Sequence, residues 1–242
     1  MWDDTASMFK AIGSDLDDML NLGYLSCDIE LQDSAAEKLG LLAHDIDAYR
    51  LKAISNGQED SANHAWVAHN AVKGAAAFLS MWTHLKRDQF GSAWECLVEA
   101  EDRITAMLGF RQSPRLADVV NRLLVAERLL FPPTKYISSS ITIKSFACSI
   151  CDSEYGTCCH ISGRLYMGEL CIKVARDLVA IDHVAFVDHP EDKFLRVLQL
   201  TDRNKCPCRN CVETQRERKP SCQAANHTAK NIAQTPPASE PS

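Results

Sequence analysis

The stretch Phe131-Pro132-Pro133-Thr134-Lys135-Tyr136-Ile137-Ser138-Ser139-Ser140-Ile141-Thr142-Ile143 divides the chain into two kinds of sequence. Two consecutive prolines cannot continue a helix, and each pushes the residue before it toward an extended conformation. Beyond them Ile137, Ser139, Ile141 and Ile143 alternate with Ser138, Ser140, Thr142 and Lys144. That is the two-residue period of a strand.

Upstream the period is helical. Ala35, Leu39, Leu42, Ile46, Tyr49 and Ala53 fall on one stripe, with Ser34 and Glu37 offering a capping box and Asn56-Gly57 a stop. Ala65, Ala68, Val72, Ala75, Leu79 and Trp82 form a second stripe. Ala93, Leu97, Ala100, Ile104 and Met107 form a third, behind a Ser92 to Glu95 capping box and ending at Gly109. Leu116, Val119, Leu123, Ala126 and Leu130 form a fourth, where Ser113-Pro114 supplies a capping hydroxyl and a first-turn proline. Residues near Thr5 to Leu22 are candidates for one more helix. Short connections make such helices antiparallel neighbours. Residues 93–101 loosely resemble the first helix of a tetratricopeptide repeat, but no second copy follows at that period.

Charge changes at the same divide. Residues 1–131 hold 20 acidic and 12 basic side chains, net −8, and residues 132–242 hold 12 acidic and 14 basic, net +2. The whole chain, 242 residues with 46% hydrophobic and 24% charged, is of globular composition, and its net charge of −6 argues against a generally phosphate-hugging protein. The opening Met1-Trp2-Asp3-Asp4 shows no secretory or transit pattern, so a cytoplasmic location is expected. The most apolar run, Ala75 to Trp82, falls far short of the roughly 20 residues a membrane span needs.

Eleven cysteines in a reducing compartment read as metal ligands or redox groups rather than disulfides. The densest group is Cys148-Ser149-Ile150-Cys151-Asp152-Ser153-Glu154-Tyr155-Gly156-Thr157-Cys158-Cys159-His160. Cys148 and Cys151 can curl around one ion as a knuckle, and a second pair from Cys158, Cys159 and His160 can close a tetrahedron. Thiolates with an imidazole suit zinc, and four protein ligands leave no water position, so the site would be structural. The expected ligands are Cys148, Cys151, Cys158 and His160, with Cys159 or Cys171 as substitutes. An iron–sulfur cluster and unliganded thiols are the alternatives, whereas a thioredoxin-type pair would need a helix where a glycine turn follows here.

The string from Cys148 to Cys171, with its Cys-x-x-Cys, Tyr155, Cys-x-His and Gly163-Arg164-Leu165-Tyr166-Met167-Gly168-Glu169-Leu170-Cys171, resembles a cysteine/histidine signature of uncharacterised prokaryotic and phage-associated proteins. About 45 residues carry the resemblance, which implies zinc binding and no activity. Cys159, between the two presumed ligands, is a departure from that pattern.

A second group, Cys206, Cys208 and Cys211 with Cys222 further on, is a candidate for another zinc. Around it Arg203, Lys205, Arg209, Arg216, Arg218 and Lys219 form a basic strip over 203–219 that could meet phosphates. His64 and His69 lie about 140° apart on a helix and make poor co-ligands. His44 with Asp45 and Asp47, and the run Asp15, Asp17 and Asp18, lack hydrolase spacing. No phosphate-binding loop, nucleophile elbow or dinucleotide-binding pattern occurs, which weighs against an enzyme.

The expectation is therefore an α+β protein: an acidic antiparallel helical bundle over 1–131, a zinc-stabilised β module over 132–211 and a disordered tail over 212–242. Beyond the cysteines, His183–Val187 and Phe194–Leu200 are expected as strands, and Leu178–Ala180 is ambiguous. The expected role is binding, with the helical part as a protein-interaction surface and nucleic-acid contact as the alternative.

Overall fold

The computed structural model describes residues 12, 21–23, 26–110 and 114–197. The chain is α+β. Helices α1 (Ile29–Ser55), α2 (Glu59–Lys86), α3 (Phe90–Leu108) and α4 (Pro114–Leu130) precede six short strands, β1 (Tyr136–Ile143), β2 (Phe146–Cys148), β3 (Leu165–Tyr166), β4 (Glu169–Leu170), β5 (Lys173–Ala175) and β6 (Leu178–Val187). Most of the proposed fifth helix, the second cysteine group, the basic strip and the tail lie outside the described residues.

Helix ends differ from the expected ones. Helix α1 starts at Ile29, because the Asp28 carboxylate accepts the Leu31 amide at 3.1 Å and caps the first turn. Ser34 and Glu37 therefore lie inside the helix. Helix α3 starts at Phe90 behind Gln89, which makes no side-chain cap, so Ser92 and Glu95 are interior as well. The Asn56-Gly57 stop is present, with Gly57 at φ +67° in the left-handed region that glycine tolerates.

Two apolar clusters share α2. Ala35, Leu39, Ala43 and Ile46 of α1 meet Ala65, Ala68, Val72 and Leu79 of α2, and Ile12 joins them. On its other side α2 contributes Phe78 and Met81 to a cluster with Trp94, Leu97, Ile104 and Leu123, which also takes in Phe131 and Tyr136. The first residue of β1 thus sits in the helical core. Gln32, fully buried in α1, donates from Nε2 to the Leu22 carbonyl at 2.9 Å and accepts from Lys86 Nζ at 2.6 Å, so its amide is satisfied.

Gly74 sets the approach of α2 to α3. A Cβ there would lie 2.9 Å from Ile104 Cδ1 and 3.6 Å from the Ala100 carbonyl oxygen. Alanine can be admitted by a small shift of the isoleucine tip, and its helix propensity offsets the crowding. The larger Gly74→Val is expected to destabilise the bundle by about 2 kcal/mol through overpacking. Urea unfolding followed by the helical signal checks this, and a valine variant as stable as the alanine one would contradict it.

The strands pair antiparallel as β1 with β6, β2 with β5 and β3 with β4, so successive pairs nest inside one another. Leu178–Ala180 belongs to β6. The expected strand from Phe194 does not form over the described residues. Instead the Leu195 carbonyl takes one bond from the Ile137 amide at 2.9 Å, and Arg196 makes a single bridge to Tyr136. Side chains of this segment are engaged by the helices: Lys193 Nζ lies 2.7 Å from both Glu101 and Glu127, and the Arg196 guanidinium stacks 4.8 Å from the Trp94 ring.

Candidate metal centre

The innermost strand pairs carry the cysteines. Cys148 closes β2 opposite Lys173 of β5. The chain then reverses: the Asp152 amide donates to the Cys148 carbonyl at 2.8 Å, and the Cys148 amide to the Ser153 carbonyl at 2.8 Å. Asp152 takes φ +59°, a conformation that aspartate tolerates better than most side chains. This tight reversal is what a two-residue cysteine spacing needs to aim both sulfurs inward.

The loop that follows is tied by two tyrosines. The Tyr155 hydroxyl accepts the Ser162 amide at 3.0 Å, and the Tyr166 hydroxyl accepts the Ile161 amide at 2.9 Å. Tyr166 also meets the His160 ring edge to face at 4.7 Å. The β3–β4 turn has φ +48° at Met167 and +74° at Gly168, the pattern of a two-residue hairpin turn with both central residues left-handed. Its tip docks on the helices. Asn63 Oδ1 accepts the Gly168 amide at 2.7 Å, Arg50 Nη1 donates to the Gly168 carbonyl at 3.0 Å, and a Cβ on Gly168 would stand 3.1 Å from the Ala62 carbonyl oxygen. Asn63 and Arg50 carry no signal in the sequence, since partners more than a hundred residues away define their role.

Within this frame the ligand atoms of Cys148, Cys151, Cys158 and His160 all lie within 4.8 Å of one another. Cys148 is buried, Cys158 and His160 are half-buried and Cys151 is exposed. His160 Nδ1 is buried and makes no hydrogen bond to the protein. A fifth donor is at hand. The Cys171 sulfur, also fully buried, lies 3.8 Å from that of Cys148, which is about the edge of a tetrahedron with sulfurs at 2.3 Å from a central zinc. Cys159 is exposed and outside the group.

The thiols bias one another. Burial pushes Cys148 up, but amide bonds from Cys151 and Ile150 and contacts with the Cys151 and Cys171 thiols outweigh it and bring its pKa down to about 7. Amide and hydroxyl bonds from Ser153 lower Cys151 against desolvation. At Cys158 the His160 amide works downward, but desolvation and the Cys151 and Cys148 thiols outweigh it and raise the pKa. Desolvation first, and Cys148 next, raise Cys171. Sulfurs this close cannot all ionise without a counter-charge, and a cation in their midst supplies one. The cluster can hold a metal ion.

The helical histidines are used otherwise. His64 Nδ1 lies 2.7 Å from the Asp60 carbonyl of its own helix, and His69 Nδ1 is 3.7 Å from Asp47. Burial, opposed by Asp47 and aided by Arg103, Lys73 and Arg50, lowers the pKa of His69. His44 is exposed. Among the described residues no other group of cysteine, histidine or acidic side chains is placed to hold an ion. No described helix is long and apolar enough to cross a membrane. Comparison with protein-family models, with curated proteins and with solved structures finds no match to this chain.

Proposed function

We propose that this is a zinc-stabilised binding protein, in which one structural zinc ion on Cys148, Cys151, Cys158 and His160 holds the β region and the helical part presents a surface to a protein partner. The observation that carries it is the convergence of three thiols and an imidazole within 4.8 Å. Soft thiolates with one imidazole favour zinc, and four protein donors leave no open coordination position for chemistry. The resemblance to prokaryotic and phage-associated zinc proteins points the same way. Val125 and Leu129, four residues apart on α4, are 53% and 79% exposed, an apolar stripe of the kind a partner covers. Around the metal group Arg176 pairs with Asp152, and Glu154 and Glu169 dilute Arg164 and Lys173, which favours a protein partner over nucleic acid.

Metal analysis of protein purified without added metal is expected to find about one zinc per chain. Iron with visible absorbance, or no metal, overturns the reading. A second equivalent would report the 206–222 cysteines. His160→Ala is expected to weaken zinc retention, whereas unchanged retention would make Cys171 the fourth ligand. A nucleic-acid role would show instead as affinity that falls steeply with salt.

A further inference from the structure

The β1–β6 ribbon has two faces of opposite character. Residues opposed across an antiparallel pair share a face. One face carries Tyr136 with Val187, Ser138 with Ala185, Ser140 with His183, and Thr142 with Ala180. The other carries Ile137 with Phe186, Ser139 with Val184, Ile141 with Ile181, and Ile143 with Leu178. That second face has no charged side chain and seven large apolar ones.

Two register shifts create it. Between Ser140 and Ile141 the ladder passes over Asp182, and between Thr142 and Ile143 it passes over Val179. Strict alternation from Phe186 and Val184 would bring Asp182 next onto the apolar face. The first bulge puts Ile181 there instead, and the second puts Leu178 in place of Val179. The displaced Asp182 accepts from the Thr142 hydroxyl at 3.1 Å, on the polar face. Bulges that re-aim side chains in this way are built features of a strand.

The described residues leave this face open. Leu178, Ile181, Val184 and Phe186 are 59–62% exposed, Ile141 is 49% and Ile137 is 38%. A two-stranded ribbon has marginal stability in water unless a second layer covers it.

We infer that the face Ile137, Ile141, Ile143, Leu178, Ile181, Val184 and Phe186 is a homodimer interface, on which the same face of a second copy packs about a two-fold axis. Three observations select this occupant. Six of its seven apolar side chains are 38–62% exposed, an apolar area on the order of the several hundred Å² per partner that a standard interface buries. A patch without charge needs no complementary charge opposite it and is its own complement, as an isologous contact requires. The half of the chain that carries it has a net charge of only +2, against −8 in residues 1–131, so two copies meeting here bring little like charge together. The C-terminal residues are a poor cover, because beyond residue 197 the aliphatic side chains larger than alanine are Leu198, Leu200, Val212 and Ile232.

The test is sedimentation equilibrium of the full chain over a concentration series, with metal content measured on each sample so that loss of metal is separable from loss of association. The wild type is expected at twice 26.9 kDa, in reversible equilibrium with monomer. Ile181→Lys and Val184→Lys, at exposed positions, are expected to raise the dissociation constant at least about 100-fold each while helical signal and metal content are kept. His183→Lys, on the opposite face, is expected to leave the dimer intact. A monomeric wild type at all concentrations, or a dimer indifferent to both apolar-face substitutions, overturns the proposal.

Discussion

Cys148→Ser is expected to lose the metal and to unfold the β region while the helical circular dichroism persists. Cys148 is fully buried, and its sulfur lies 3.8 Å from that of Cys171. Apart from the ribbon, the β region consists of strands of two or three residues with few buried apolar side chains, chiefly Ala147, Cys148 and Cys171. A core that small does not offset the entropy of ordering its chain. Under the proposed zinc assignment, removing a ligand removes the largest favourable term, since apparent binding free energies of about 10–16 kcal/mol for structural zinc exceed the whole stability of many domains. The helices keep a seam of their own: Leu39, Ile46, Val72 and Leu79 are at most 1% exposed and lie in a cluster made of helical residues alone. Proteolysis reads the outcome: cleavage between about residues 144 and 178 should rise at least 100-fold in the variant and in chelator-treated wild type. Cys159→Ser, exposed and outside the donor group, is the control and should behave as wild type. A Cys148→Ser protein with metal-independent, wild-type resistance in that segment would contradict the assignment.

The helices are legible in the sequence because each buries a stripe of the right period, and Ala35, Leu39 and Ile46 or Leu97, Ile104 and Met107 are indeed core. Their starts are less legible. An apolar stripe begins where burial begins, and α1 is already capped by Asp28 before Ala35 reaches the core. The strand period of Ile137 to Ile143 is visible too, but the bulges at Asp182 and Val179 are not, since a register shift depends on both strands at once. In the donor group, spacing alone leaves Cys158 and Cys159 equivalent. Adjacent residues of a loop face different ways, and the Tyr155 and Tyr166 hydroxyls that tie residues 161 and 162 set which sulfur faces Cys148 and Cys151. Cys171 approaches Cys148 only because the β3–β4 hairpin folds back, with its tip fixed by Asn63 and Arg50 of the helices. The sequence offers Cys171 as a substitute ligand, but no local pattern announces the helix residues that fix the hairpin tip.

Lys193→Met is expected to destabilise the protein by about 3 kcal/mol near neutral pH and to recover part of that loss on acidification. Lys193 Nζ lies 2.7 Å from the carboxylates of both Glu101 on α3 and Glu127 on α4, its carbonyl accepts Trp94 Nε1 at 3.1 Å, and Glu101 Oε1 is buried with no further partner. One ammonium thus holds two carboxylates together beneath the segment that follows β6. Breaking a buried ion pair by removing one partner typically costs about 3–5 kcal/mol, and the lower end applies here because the lysine keeps some contact with water. The pH dependence has a definite sign. Burial raises the pKa of Glu101, Lys193 opposes that rise and Glu127 adds to it. Between its unfolded and folded pKa the native state therefore binds more protons, and stability falls as pH rises through that window. Without Lys193 the opposing influence is gone, so the window widens upward and the variant gains more than the wild type as pH falls. Burial disfavours the Lys193 ammonium, but the two glutamates outweigh it and raise its pKa, so the lysine's contribution is fully present below its unfolded pKa and is lost only as pH rises through the folded one. Urea unfolding of wild type and Lys193→Met from about pH 8 down to pH 5 should therefore show a stability gap that narrows with acid. Adding Glu101→Gln to Lys193→Met should flatten the variant's dependence, because the titrating carboxylate is then absent. A gap that stays constant across this range would mean that the loss comes from packing of the lysine stem.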